Sequence, residues 1–232
     1  MKLLLTSGGI TNDGLLGALT DLLGKPVSDA DALFVPTAIY PYPGGGRNAM
    51  AAARGEASSP LCNLGWRSLG LLELSTLPSL PPEAWIPSLE EADAILVWGG
   101  NVLYLSYWLR TSGLAELLPR LDNLVYVGVS AGSIALGQLN CDFEWNRANF
   151  GPDSPVTSVE DRGTGLVPFS LWVHIDNPNP IFADHTMGNA RDWARDNAAP
   201  TYAIDDHTAI RVDGDSVTVV SEGQWEYFNG AE

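Results

Sequence analysis

The sequence predicts an α/β protein: a doubly wound, mostly parallel sheet with an antiparallel C-terminal extension. Three observations carry this. Short apolar runs alternate with helix-compatible segments through the first two thirds of the chain. Several runs stop at small residues (Ser7-Gly8-Gly9, Gly99-Gly100-Asn101, Gly128-Val129-Ser130-Ala131-Gly132), as strands do where the chain turns sharply into a helix. After about residue 165 the pattern changes to turn-separated strands. A length of 232 residues, with 45% hydrophobic and 17% charged, suits one globular domain over residues 1–232.

Taken in order, Leu3–Thr6 is an apolar first strand and Asn12–Leu23 a helix. Ala32–Pro36 is a second strand. Tyr40-Pro41-Tyr42-Pro43-Gly44-Gly45-Gly46 is a loop, and Arg47–Arg54 starts an Ala-rich helix. Trp66–Leu74 is a third strand. The Pro-rich Leu77–Pro87 is a connection, after which Ser88 caps a short helix with Glu91 three residues on. Ala94–Trp98 is a strand and Val102–Leu118 a helix. Leu124–Val129 is a β-branched, fully apolar strand, as a buried parallel strand requires, and Ser133–Leu139 continues as helix. Leu166–Ile175, Thr201–Val212 and Ser216–Ser221 read as strands extending the same sheet antiparallel, with a hairpin turn at Val212-Asp213-Gly214-Asp215-Ser216.

The formal net charge of −16 argues against nucleic acid and anionic membranes, because no basic patch exists to meet phosphates. No apolar run has the length of a membrane span. The N-terminal apolar run ends at Thr6-Ser7-Gly8-Gly9, which reads as a strand rather than a secretion signal. The two cysteines, Cys62 and Cys141, lie in no zinc-ligand or redox spacing and are expected as free thiols in the cytoplasm.

Gly128-Val129-Ser130-Ala131-Gly132 has the pattern of a nucleophile elbow, in which strained backbone projects a serine hydroxyl clear of its strand. Ser130 also stands at a helix N-terminus, where unpaired N–H groups favour developing negative charge. A serine needs a base, and the histidines are His174, His185 and His207. His174 ends an apolar run, which puts it at a strand terminus. A carboxylate must fix the base's tautomer, and one of Asp205 and Asp206 can face the site while the other faces water. The backbone N–H of Ala131, and of Gly100 at a neighbouring strand end, suit an oxyanion hole.

These residues together resemble the family of serine peptidases that includes aspartyl dipeptidase (peptidase E) and cyanophycinase. The resemblance runs in order through most of the chain: Trp98-Gly99-Gly100-Asn101, Gly128-Val129-Ser130-Ala131-Gly132-Ser133, Pro168-Phe169 followed by His174, and Ile204-Asp205-Asp206-His207-Thr208-Ala209. It implies a fold like that of class I glutamine amidotransferases and no metal or cofactor. It implies Ser130 as nucleophile, His174 as base and Asp206 as orienting acid, where the family commonly has Glu. It implies Gly100 and Ala131 as the oxyanion hole, and substrate contacts from Asn101 and Arg191.

One departure bears on specificity. Gln138-Leu139-Asn140-Cys141-Asp142-Phe143-Glu144-Trp145 replaces a Thr-Thr-Asn-Asp-type segment and is more acidic and aromatic, which disfavours a strict Asp-X substrate. Glu144 or Asp142 is a candidate for the substrate's free amine. The expected activity is hydrolysis of short peptides with a free N-terminus by an acyl-enzyme route, in a homodimer or larger assembly. Cyanophycinase-like cleavage of Asp-Arg units, a small-molecule esterase or amidase, and a non-catalytic binding domain are the alternatives.

Overall fold

The computed structural model describes residues 1–141, 146–151, 153–158 and 162–230. The first half lays down five parallel strands: β1 (Lys2–Thr6), β2 (Asp31–Val35), β3 (Ser68–Leu71), β4 (Ala94–Val97) and β5 (Val125–Val129). Two antiparallel strands, β8 (Thr208–Asp213) and β9 (Ser216–Ser221), extend this sheet beyond β1, giving the order β3-β2-β4-β5-β1-β8-β9. The result is a mixed, mostly parallel sheet with an antiparallel C-terminal extension.

Side-chain alternation divides the core between the two faces. Leu3, Leu5, Ile95, Val97 and Tyr126 pack to one side, with α4 (Val102–Thr111) and α6 (Ala131–Ile134). Leu4, Ala94, Leu96, Val125 and Val127 pack to the other, with α1 (Asp13–Leu23). Every residue of β4 and β5 is buried, which explains their unbroken apolar runs. The Asn12 side chain caps α1 by accepting from the Leu15 N–H, and Gly24 closes it in the left-handed conformation. α2 (Gly45–Ala53) follows the Pro/Gly loop.

The last third departs from the expected single sheet. β6 (Ser170–Trp172), β7 (Thr201–Ile204) and β10 (Trp225–Phe228) form a separate three-stranded sheet, in which β6 and β7 are parallel. The run Thr201–Val212 therefore breaks at Asp205-Asp206-His207. Asp205 causes the break: its carboxylate accepts from the His207 N–H, the Thr208 hydroxyl and the Gln224 N–H, folding the chain into a side-chain-supported turn. α7 (Met187–Asp196) and the small sheet share a third cluster of Trp172, Ile175, Ala190 and Ala203.

Smaller corrections have local causes. The predicted helix Val102–Leu118 splits into α4 and α5 (Leu114–Leu117), because Gly113 adopts φ +79° between them. α3 (Ile86–Glu91) starts before Ser88, whose side chain makes no cap; Pro87 with its fixed φ opens the helix instead. Only Ser68–Leu71 of Trp66–Leu74 pairs, at the sheet edge, where Leu71 is 63% exposed. Only Ser170–Trp172 of Leu166–Ile175 is strand, and α6 ends at Ile134 rather than Leu139. The hairpin turn is as expected, with Gly214 at φ +60° between paired Asp213 and Ser216. Among the described residues no helix is long and apolar enough to cross a membrane.

Candidate active site

Four adjacent strands of the main sheet, β2, β4, β5 and β1, end on one edge. Their following turns bring together Ala38 and Ile39, Gly99 and Gly100, Ser130, and Ser7. Ligands in open parallel sheets bind outside such carboxyl ends. The small sheet contributes His174, two residues beyond β6. The connection from β7 to β8, which passes between the two sheets, contributes Asp206.

Ser130 is held at φ +53°, ψ −116°, a conformation costly for any residue with a side chain. Two glycines permit the turn. A Cβ on Gly128 would lie 2.8 Å from the Gly132 carbonyl carbon and oxygen. A Cβ on Gly132 would lie 2.2 Å from the Val97 carbonyl oxygen, so Gly132 is required by β4 rather than by its own strand. The Tyr126 hydroxyl donates to the Gly132 carbonyl at 2.6 Å and ties the elbow to β5.

A continuous hydrogen-bonded row runs from this serine. His174 Nε2 lies 2.9 Å from Ser130 Oγ, and His174 Nδ1 lies 2.7 Å from Asp206 Oδ1. A carboxylate only accepts, so Nδ1 carries the proton and Nε2 is left to accept from the serine hydroxyl. His174 is buried and also has a positive φ, +60°. Two strained residues facing each other at one hydrogen bond match the clustering of backbone strain at functional sites. The Phe182 ring stacks on the imidazole, with centroids 3.9 Å apart and planes 19° apart. It covers one face of the ring and restricts its rotation.

Asp206 is held by more than the histidine. The Ser7 hydroxyl donates to Oδ1 and the Asn177 amide donates to Oδ2. The same Ser7 oxygen accepts from the His174 backbone N–H at 2.8 Å, so one side chain fixes both acid and base. Burial pushes the Asp206 carboxyl up, but the hydrogen bond and charge of the His174 ring, with Ser7 and Asn177, outweigh it and hold the group at about 2. This folded value lies below the ordinary carboxylate value of about 3.9. The stabilisation is therefore fully present above about pH 4 and is lost as the pH falls through about 2. In denaturant titrations, the stability gap between wild type and Asp206→Asn is expected to narrow across that window; a constant gap would contradict it.

Gly100 has φ +142°, and a Cβ there would lie 2.3 Å from the Ala38 carbonyl oxygen. The glycine is needed for close packing against the turn after β2, not only for approach by a ligand. Neither the Gly100 N–H nor the Ala131 N–H donates a hydrogen bond among the described residues. Ser130 and Gly100 line a cavity of about 550 Å³ with Ile39, Tyr42, Asn48, Ile181, Phe182, Asp184 and His185.

Other residues singled out in the sequence lie elsewhere or are otherwise engaged. Asn101 is fully buried: its carbonyl accepts from the Tyr104 N–H as the cap of α4, and its amide donates to the Asn146 carbonyl, so it anchors the turn and does not face the cavity. Arg191, 56% exposed on α7, is paired with Glu226 at 2.6 Å in a separate depression. Glu144 and Asp142 lie outside the described residues. His207 is exposed, while the Nδ1–H of His185 donates to the Val173 carbonyl at 2.8 Å. Cys62 and Cys141 are free thiols, and burial pushes Cys62 up to about 12.

Sequence reasoning missed Ser7, Asn177 and Phe182. For Ser7 a signal existed: Ser7-Gly8-Gly9 closes a strand as the elbow does. A Cβ on Gly8 would lie 2.8 Å from Asp206 Cβ, so the glycine makes room for the acid.

Comparison with known proteins bears on this geometry. The profile of Peptidase family S51 matches residues 3–220. Peptidase E of Streptomyces coelicolor is 30% identical over 141 residues, covering 58% of this chain and 54% of that protein, so the alignment spans about half of the relative's length. Two solved structures share the fold. A protein assigned to peptidase E from Listeria monocytogenes EGD-e superposes with a TM-score of 0.67 at 19% identity, covering 96% of this chain and 98% of that one. A peptidase from an acI-B1 Actinobacterium gives 0.67 at 18% identity, covering 99% and 91%. With the profile matched over nearly its whole length, the chain belongs to peptidase family S51.

Proposed function

We propose that this protein is a serine peptidase that hydrolyses short peptides with a free N-terminus. The observation that carries the reading is the unbroken row from Ser130 through His174 to Asp206, beside a cavity that Ser130 and Gly100 line. In this reading Ser130 Oγ attacks the scissile carbonyl carbon while His174 Nε2 takes the hydroxyl proton. Asp206 keeps the ring in the accepting tautomer and stabilises the imidazolium that forms. The carbonyl π-bond electrons move to oxygen, and the Gly100 and Ala131 N–H groups receive the oxyanion. When the intermediate collapses, the C–N bond breaks and the Nε2 proton passes to the leaving amine. Water then adds to the acyl-enzyme, giving a proton to His174 that returns to Ser130 as the acid product leaves.

The size of the cavity favours small substrates, since about 550 Å³ lies within the range of small-ligand sites. The test joins two measurements. A fluorophosphonate probe is expected to label Ser130 and not the Ser130→Ala variant. A dipeptide panel of Asp-Leu, Ala-Leu, Met-Leu and an N-acetylated control is expected to be turned over except for the blocked member. Labelling at another residue, or equal cleavage of blocked and free peptides, would overturn the assignment.

A further inference from the structure

Resting on the peptidase reading, we propose that the cavity selects an N-terminal residue with a neutral, apolar side chain, and that Asp184 receives the substrate's α-ammonium. The walls point this way. Ile39, Tyr42, Ile181 and Phe182 supply most of the large side chains of the cavity. Ile181 is 58% exposed although it lines a concave site. An apolar substrate side chain would remove this surface from water, at about 25 cal/mol per Å² of apolar area buried.

Charge argues in the same direction. No Arg or Lys is among the described residues lining the cavity, and its carboxylate is Asp184. Asp184 makes no side-chain hydrogen bond or ion pair among the described residues; only its backbone carbonyl is engaged, by the Asn189 amide at 2.8 Å. A substrate aspartate placed here would meet a like charge, with only neutral donors such as Asn48 and Tyr42 in reach. Taking a carboxylate out of water without a cation is strongly unfavourable. Arg191 does not supply one: Glu226 takes both its Nε and its Nη2, on another face. Arg47, next to Asn48 in α2, is exposed and is not a lining residue. An ammonium meets the opposite situation, since the Asp184 carboxylate at the cavity wall is unengaged among the described residues.

The experiment compares kcat/KM for Leu-Leu, Phe-Leu, Asp-Leu and N-acetyl-Leu-Leu in wild type, Ile181→Arg and Asp184→Asn, with fluorophosphonate labelling of each. Wild type is expected to prefer Leu-Leu and Phe-Leu over Asp-Leu by at least about tenfold. Ile181→Arg, at an exposed position that folding tolerates, is expected to raise Asp-Leu turnover by about tenfold and lower that of Leu-Leu. Asp184→Asn is expected to raise KM for free dipeptides about fivefold, the size of a partly exposed ion pair, with fluorophosphonate labelling of Ser130 unchanged. Asp-Leu cleaved as well as Leu-Leu would overturn the side-chain selection. An unchanged KM for free dipeptides in Asp184→Asn, or a loss of labelling at Ser130 equal to the loss of turnover, would overturn the ammonium contact. Labelling at Ser130 without turnover of any dipeptide would overturn the substrate class while leaving the nucleophile standing. Absence of both labelling and turnover would instead remove the peptidase reading itself.

Discussion

Ser130→Ala and His174→Ala are each expected to lower kcat on the best dipeptide by about 10⁶-fold, and the double variant is expected to fall no further. The two side chains meet at one hydrogen bond of 2.9 Å, so on the proposed reading removing either would leave the other without a reaction to perform. What survives should come from positioning and from the Gly100 and Ala131 amides, and should amount to about 10³–10⁴ over water. The measurement is kcat for the three variants beside wild type, with circular dichroism to confirm folding. Folding needs checking because His174 is buried and its loop is anchored through Ser7. Losses that multiply in the double variant would mean that the residues act in separate steps, and the row would not be a catalytic unit.

Much of the large sheet was legible because its strands are buried on both faces. Leu3–Thr6, Ala32–Pro36, Ala94–Trp98 and Leu124–Val129 are continuous apolar runs bounded by small residues, and all four became strands within a residue or two of the expected ends. The edge strand β3 was overextended because it is half exposed and its pattern is weak. The small sheet was misread because its strands are three or four residues long. What separates it from the large sheet is one side-chain-supported turn at Asp205, and no periodicity encodes that.

At the site, legibility followed backbone strain. The elbow at Ser130 needs glycines at two fixed spacings, and those are visible in sequence. The meeting of Ser130, His174 and Asp206 required the resemblance as well, since three histidines and two adjacent aspartates left the choice open. Asn177 was hidden because it acts by donating one hydrogen bond to a residue some 30 positions away, and the strand-closing Ser7-Gly8-Gly9 does not say which residue, some 200 positions on, Ser7 would meet. Asn101, expected from the resemblance as a substrate contact, is buried and caps the helix that follows.

Gly132→Ala is expected to be the most destabilising single methyl in the molecule's elbow, costing about 3 kcal/mol or more and lowering Tm by roughly 10 °C. The new Cβ would lie 2.2 Å from the Val97 carbonyl oxygen, which belongs to a fully buried central strand and cannot swing aside as a flexible side chain would. Nor can the elbow retreat. The Gly132 carbonyl is fixed by the buried Tyr126 hydroxyl, and Gly128 already lies against the Gly132 backbone on the other side. The molecule carries its own control in Gly17, in the middle of α1, where nothing lies within 4 Å of an added Cβ. Gly17→Ala is expected to gain about 0.5–1 kcal/mol, because alanine fits a helix interior better than glycine. Thermal unfolding of both variants separates the two cases. A Gly132→Ala protein as stable as wild type would mean that β4 does not press on the elbow. The strain at Ser130 would then need a source other than the squeeze between Val97 and Gly128.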